Sequence, residues 1–122
     1  MRKTQQTPPE VKAWTKAISE RNPSVMVGFY ANDALLLATF ESLLVGKEAI
    51  YEYFVEFLDK ENLQCEILEN YTQKFEHVDI CSGLYAFTFI EDEEEQRVIA
   101  RYTYAVNNRG KITTHHSSVN PE

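Results

Sequence analysis

The chain is short of the residues that mark the commonest specialised chemistries. It carries only two cysteines, Cys65 and Cys81, too far apart for a C-x-x-C motif and too few for a disulfide framework. They read as reduced thiols of a cytoplasmic protein, with a pairing between them left open. Basic residues are also scarce: 12 Lys and Arg stand against 19 Asp and Glu, for a net charge of −7. Without a basic cluster to neutralise a phosphate backbone, nucleic acid is not an expected partner. No apolar run approaches the roughly 18 residues of a membrane span. The opening "MRKTQQTPPE" has no apolar stretch behind its basic residues, so it does not read as a secretory leader; residues 1–7 read as a flexible arm. The four glycines form no nucleotide-binding loop, and no repeat, linker or low-complexity segment is visible.

What remains is an ordinary globule rich in rings. The 122 residues are 43% hydrophobic and 25% charged, which suits one domain with a self-sufficient core. Seven Tyr, seven Phe and one Trp are enough to surround a cavity or build an interface.

Local signals place the elements. Thr7 as cap, Pro8 at the first helical position and Glu10 closing a capping box predict a first helix, with Val11, Trp14 and Ile18 on its apolar face. Asn22 followed by Pro23 predicts a second, short helix ending near Tyr30. "ALLLATF" and "SLLVG" read as short extended segments. Gly46 precedes the clearest helix, "KEAIYEYFVEFLDKEN", in which Ile50, Tyr53, Phe54, Phe57 and Leu58 form one stripe and Asn62 is the stop. Four strands follow, at about 63–75, 78–90, 96–107 and 111–118. The acidic run Glu91–Glu95 reads as a solvated hairpin tip. Three helices and then a four-stranded meander predict an α+β fold with the helices on one side of a bent, mainly antiparallel sheet.

The last hairpin locates candidate chemistry. A three-residue loop Asn108-Arg109-Gly110, with Gly110 left-handed, pairs Val106 with Ile112. Carried inward without interruption, this register sets Thr103 against His115 and Arg101 against Ser117. Arg101, Thr103, His115 and Ser117 then share one face, and Tyr102, Tyr104, His116 and Ser118 the other. Adjacent strand residues cannot converge on one ion, so "HHSS" is not a metal site, and His77 is remote; no metal and no cofactor are expected. Ser117 and His115 could be neighbours, yet no carboxylate is nominated to complete a nucleophilic triad. Ser and Thr on strands commonly satisfy one another across the ladder. Arg101 is costly to bury without an anion: it pairs with an internal carboxylate or receives an external one.

The order of elements resembles the nuclear transport factor 2-like (cystatin-like, SnoaL-like) fold, a cone whose bent sheet wraps helices and leaves a pocket. More specifically, "AWTKAISERNPSVMVGFYANDALLL", "GKEAIYEYFVEFL", "RYTYAVNNRGKI" and "HHSSVNPE" resemble the association (hub) domain of calcium/calmodulin-dependent protein kinase II and its free-standing bacterial homologues. That resemblance implies a homo-oligomer, dimer or higher ring, with a pocket that holds a small anion such as a carboxylate. It makes Arg101 a pocket arginine and Tyr53 a pocket aromatic. Ile50, Ala86 and Ser117 stand where the kinase hub has a histidine and further arginines, so the pocket would carry less positive charge. It also makes the face of Arg101, His115 and Ser117 the pocket side, and that of Tyr102, Tyr104, His116 and Ser118 the dimer side.

Two functions follow as expectations. One is an assembly module with a small-ligand pocket around Arg101, His115, Ser117, Tyr53, Tyr30 and Trp14. The other is an isomerase, dehydratase or cyclase with His115 as general base and Arg101 or Tyr30 polarising a carbonyl; Trp14 would be a wall of the pocket or part of the core.

Overall fold

The computed structural model describes residues 9–121, apart from the side chain of Glu10. The helix-entry signals at Thr7, Pro8 and the Glu10 side chain, and the arm at 1–7, lie outside the described residues. Helix α1 (Pro9–Ile18) buries Val11, Trp14 and Ile18, the expected face. It ends on Arg21, whose φ of 59° places an arginine in the left-handed position usually taken by glycine. The Arg21 guanidinium compensates by donating from Nε to the Leu58 carbonyl at 3.0 Å, near the end of a later helix.

Helix α2 (Pro23–Val27) is capped by Asn22, whose side chain accepts from Ser24 N–H. It stops at Gly28, two residues short of the expected end, because Tyr30 opens strand β1 (Tyr30–Leu37). The cause is long-range: Ile112 N–H donates to the Phe29 carbonyl at 2.8 Å, and Tyr30 pairs with Ile112 in a parallel ladder. Strand β2 (Leu43–Val45) pairs back on β1. Helix α3 (Gly46–Phe57) is shorter than its periodicity suggested, and Asn62 is not its stop. Asn62 lies instead at φ 53° inside strand β3 (Glu61–Lys74). Among the described residues, no helix is long and apolar enough to cross a membrane.

Strands β4 (Val78–Glu91), β5 (Glu94–Asn107) and β6 (Ile112–Val119) complete a sheet of order β2-β1-β6-β5-β4-β3. The fold is α+β, with all ladders antiparallel except β1–β6. The acidic tip is tighter than expected: only Asp92 and Glu93 form the turn, both with positive φ, and Glu91 faces Glu94. Helix α1 packs against β3 at one end of the sheet and α3 against β1 at the other, so the core lies on a single face. Trp14 is at its centre, 2% exposed, stacked on Tyr85 and edge-on to Phe54, Phe87, Tyr104 and His115.

The β5–β6 hairpin corrects the register derived from its loop. The loop itself is as expected: Gly110 has φ 76° and Val106 faces Ile112. One step inward, Thr113 forms a bulge, so Ala105 faces Thr114, Tyr104 faces His115, Thr103 faces His116, Tyr102 faces Ser117 and Arg101 faces Ser118. The bulge is tolerated because the Thr113 hydroxyl donates to the Ala105 carbonyl at 3.1 Å, supplying a bond the disrupted ladder loses. Tyr102 and Tyr104 therefore turn inward beside His115 and Ser117, while Arg101 and Thr103 turn outward beside His116 and Ser118.

Candidate functional site

Side chains from four elements converge on His115 of β6. Its strand is held between β1 and β5, and the inward parity after the bulge aims the imidazole at Trp14 of α1, Tyr30 of β1, Tyr85 of β4 and Tyr104 of β5. Trp14 Nε1–H donates to Tyr30 Oη at 3.1 Å. Tyr30 Oη lies 2.8 Å from His115 Nδ1. His115 Nε2 lies 3.1 Å from Tyr85 Oη, and Tyr85 donates to Ser117 Oγ at 2.7 Å. Ser117 in turn bonds to Thr39 Oγ1 on the turn after β1.

The direction of this chain follows from its first member. An indole N–H can only donate, so Tyr30 Oη accepts from Trp14 and its own buried proton needs an acceptor. His115 Nδ1 is that acceptor, which leaves the imidazole proton on Nε2, donated to Tyr85 Oη. Tyr85, already donating to Ser117, accepts it. Every polar atom from Trp14 to Ser117 is thereby used, and the Nε2–H tautomer of His115 is fixed.

His115 is 1% exposed, and burial, helped by the neighbouring His116, lowers its pKa from the ordinary 6.5 to about 3. It is neutral at pH 7 with both nitrogens occupied. A general base works best with a pKa near the operating pH, so His115 is not set up as the base that the enzyme reading required. Burial likewise raises the Tyr30, Tyr85 and Tyr104 hydroxyls far above their usual range, so they act as hydrogen-bonding groups and not as acids. Tyr104 stacks on His115 with 4.1 Å between ring centroids; its hydroxyl is buried without a hydrogen-bond partner among the described residues.

Beside this chain lies a cavity bounded by Trp14, Thr39, Tyr53, Tyr85, His115 and Ser117. It leaves about 10 Å³ for the centre of a water molecule, room for one water. Among the described residues, none that lines it is Lys or Arg.

The structure thus brings together Trp14, Tyr30, Tyr53, His115 and Ser117 as the sequence suggested, but it does not bring Arg101 to them. Arg101 is exposed on the opposite sheet face, donating to Ser118 Oγ from Nε at 3.3 Å and from Nη2 at 3.2 Å. Among the described residues it has no carboxylate partner, and it does not line the cavity. Tyr102 and Tyr104, expected at an outer interface, are 2% and 1% exposed in the core; Tyr102 Oη donates to Asn70 Oδ1 at 2.6 Å. His116 and Ser118 are on the outer face as expected. Tyr85 was missed, although "YAFTF" alternates Tyr85, Phe87 and Phe89 toward one face. Thr39 carried no sequence signal. Cys65 is half-buried and Cys81 buried, and among the described residues no three His, Cys, Asp or Glu are placed to hold a metal.

Comparison with family models and with curated proteins found no match. Solved structures did match. A protein from Xanthomonas campestris described as a calcium/calmodulin dependent protein kinase II association domain is 31% identical, with a TM-score of 0.83 over 100% of this chain and 99% of its own. A nuclear transport factor 2-like protein from Salmonella enterica serovar Typhimurium is 10% identical, with a TM-score of 0.81 over 93% of this chain and 87% of its own. A ketosteroid isomerase-like protein from Erwinia carotovora is 13% identical, with a TM-score of 0.75 over 93% and 92%. The last two share the fold alone, whereas identity of 31% along the full length means that this chain belongs to the calcium/calmodulin-dependent protein kinase II association-domain family, with the nuclear transport factor 2-like fold.

Proposed function

We propose that this protein is an assembly module that joins copies of itself through the outer face of its sheet. The observation that supports this reading is a run of side chains without a formal charge. Leu35 faces Val45 and Leu37 faces Leu43 across the β1–β2 ladder, and these four are 37%, 62%, 36% and 53% exposed. The pattern continues across the sheet. One row reads Val45, Leu35, Thr114, Ala105, Ile80; the next reads Leu43, Leu37, His116, Thr103, Ser82. Neither row contains Lys, Arg, Asp or Glu, in a chain that is 25% charged.

Contiguous apolar surface of this kind marks interaction sites, and depletion of charge at the centre is the compositional signature of an interface. Arg101, one row further along beside Ser118, suits the polar rim. A self-complementary patch fits a two-fold dimer, the commonest closed assembly. Membership of an association-domain family agrees with it.

Sedimentation equilibrium of the wild-type chain and of a Leu37→Lys/Leu43→Lys variant tests the reading. Both substitutions fall on exposed positions, so the isolated fold should keep its far-ultraviolet circular dichroism. The wild type is expected as a dimer or larger species at micromolar concentration and the variant as a monomer. A monomeric wild type at about 100 μM, weaker than the association expected of a standard interface, would overturn the proposal.

A further inference from the structure

The hydrogen-bond chain that starts at Trp14 carries one hydrogen more than the described residues accept. Counted from Trp14, each member passes its proton onward: Tyr30 to His115 Nδ1, His115 Nε2 to Tyr85, and Tyr85 to Ser117. Ser117 and Thr39 then share one bond between two hydroxyls, and either can be its donor. If Ser117 donates, the Thr39 hydrogen is left over; if Thr39 donates, the Ser117 hydrogen is. Neither hydroxyl has a further partner among the described residues. Ser117 is 4% exposed and Thr39 half-buried. Whichever way the last bond runs, one O–H at this end of the chain still needs an acceptor.

Both hydroxyls line the cavity beside His115, and so does Tyr53 of α3. The Tyr53 ring is fixed by stacking on Phe57, with 5.4 Å between centroids. Its hydroxyl lies within electrostatic reach of Tyr30 and Tyr85 on the inner side and of Glu41 on the outer. It too has no hydrogen-bond partner among the described residues. The space these groups enclose leaves about 10 Å³ for the centre of a water molecule, between apolar walls that include Leu36, Ala38 and Phe87. An internal water requires just such a combination, a volume of about one probe sphere and at least two polar partners.

We propose that this cavity is a binding site for one water molecule, which accepts the remaining hydrogen of the Thr39–Ser117 pair and bonds to Tyr53 Oη. The water is then the last member of the chain, and through Tyr53 it ties the strands and the turn after β1 to helix α3. The site selects a neutral acceptor the size of a single oxygen atom. A carboxylate, the ligand that the association-domain resemblance implies, is larger than this space and would find no basic residue in its lining. The site stands apart from the proposed assembly, because the cavity lies on the core side of the sheet and the charge-free rows on the other.

A high-resolution crystal structure and oxygen-17 magnetic relaxation dispersion, which counts waters held for longer than the protein tumbles, test this on the whole chain. The expected structure has one water within hydrogen-bond distance of Tyr53 Oη and of Thr39 Oγ1 or Ser117 Oγ. Ala38→Val, which adds methyl groups at the cavity wall, should lose one long-lived water. Tyr53→Phe keeps the ring and removes one partner; it should shorten the water's residence about fivefold, the factor equivalent to one net hydrogen bond, with circular dichroism unchanged. Sodium acetate should not raise the thermal midpoint relative to sodium chloride at equal concentration. A cavity without ordered density, or density for a larger molecule beside Thr39, would overturn the assignment. So would saturable stabilisation by acetate, or the same number and residence of long-lived waters in the wild type and both variants.

Discussion

Replacing His115 with Gln should flatten the acid dependence of stability between pH 7 and pH 4. The folded protein holds His115 neutral, with a pKa of about 3 in place of the ordinary 6.5, because the charged form would be buried and would break the chain. A proton on Nδ1 would confront the Tyr30 hydroxyl with another donor, and Tyr30 is already committed to Trp14. The sign follows: a base whose folded pKa is depressed stabilises the fold fully above its unfolded pKa and loses that contribution as pH falls. Linkage from these two values gives a loss of about 2 kcal/mol between pH 7 and pH 5 and about 3 kcal/mol by pH 4, flattening near pH 3. Other groups common to both proteins also respond to acid, so the informative quantity is the wild-type slope minus the variant slope. Urea unfolding at pH 7, 6, 5 and 4 supplies it, with imidazole nitrogen NMR reporting the tautomer. Equal slopes in the two proteins, or a His115 resonance titrating near pH 6.5, would refute the reasoning.

Tyr30→Phe should cost about 2–4 kcal/mol in urea unfolding, since it strands both the Trp14 donor and the His115 acceptor in the core, each at the cost of a buried unsatisfied group. Gly83→Ala should cost about 2–3 kcal/mol or fail to fold, because the added methyl would fall 1.9 Å from the Glu69 carbonyl oxygen and backbone must move to admit it. Arg101→Ala should leave the urea midpoint within error of wild type, because the exposed guanidinium bonds to Ser118 Oγ on the outer face; a large loss of stability would contradict that placement.

Much of this was legible along the chain and some of it was not. The apolar faces of α1 and α3 came from spacing alone, and Val11, Trp14, Ile50 and Phe54 are buried accordingly. The alternation Ala100, Tyr102, Tyr104, Val106 was itself sufficient to identify the inward face of β5. It lost to a register propagated from the hairpin loop, in which the pairing of Val106 with Ile112 was correct and the next pair was not. A turn fixes register only until the first bulge, and Thr113 carries no signal of one beyond its hydroxyl. The partners of His115 were illegible for a different reason. Tyr30 lies 85 residues away, joined through a parallel β1–β6 ladder that no local pattern encodes.

The proposed assembly is tested most directly by the solvent exposure of the Leu35, Leu37, Leu43 and Val45 methyl groups. Paramagnetic relaxation by an inert soluble agent can be followed across a dilution series, with Leu37→Lys as the dissociated reference. The account predicts that these methyls are shielded in the concentrated wild type and exposed in the variant. Val55 on α3, 48% exposed, should be equally accessible in both. Outer-face methyls that relax identically at every concentration and in the variant, with Val55 shielded instead, would contradict it.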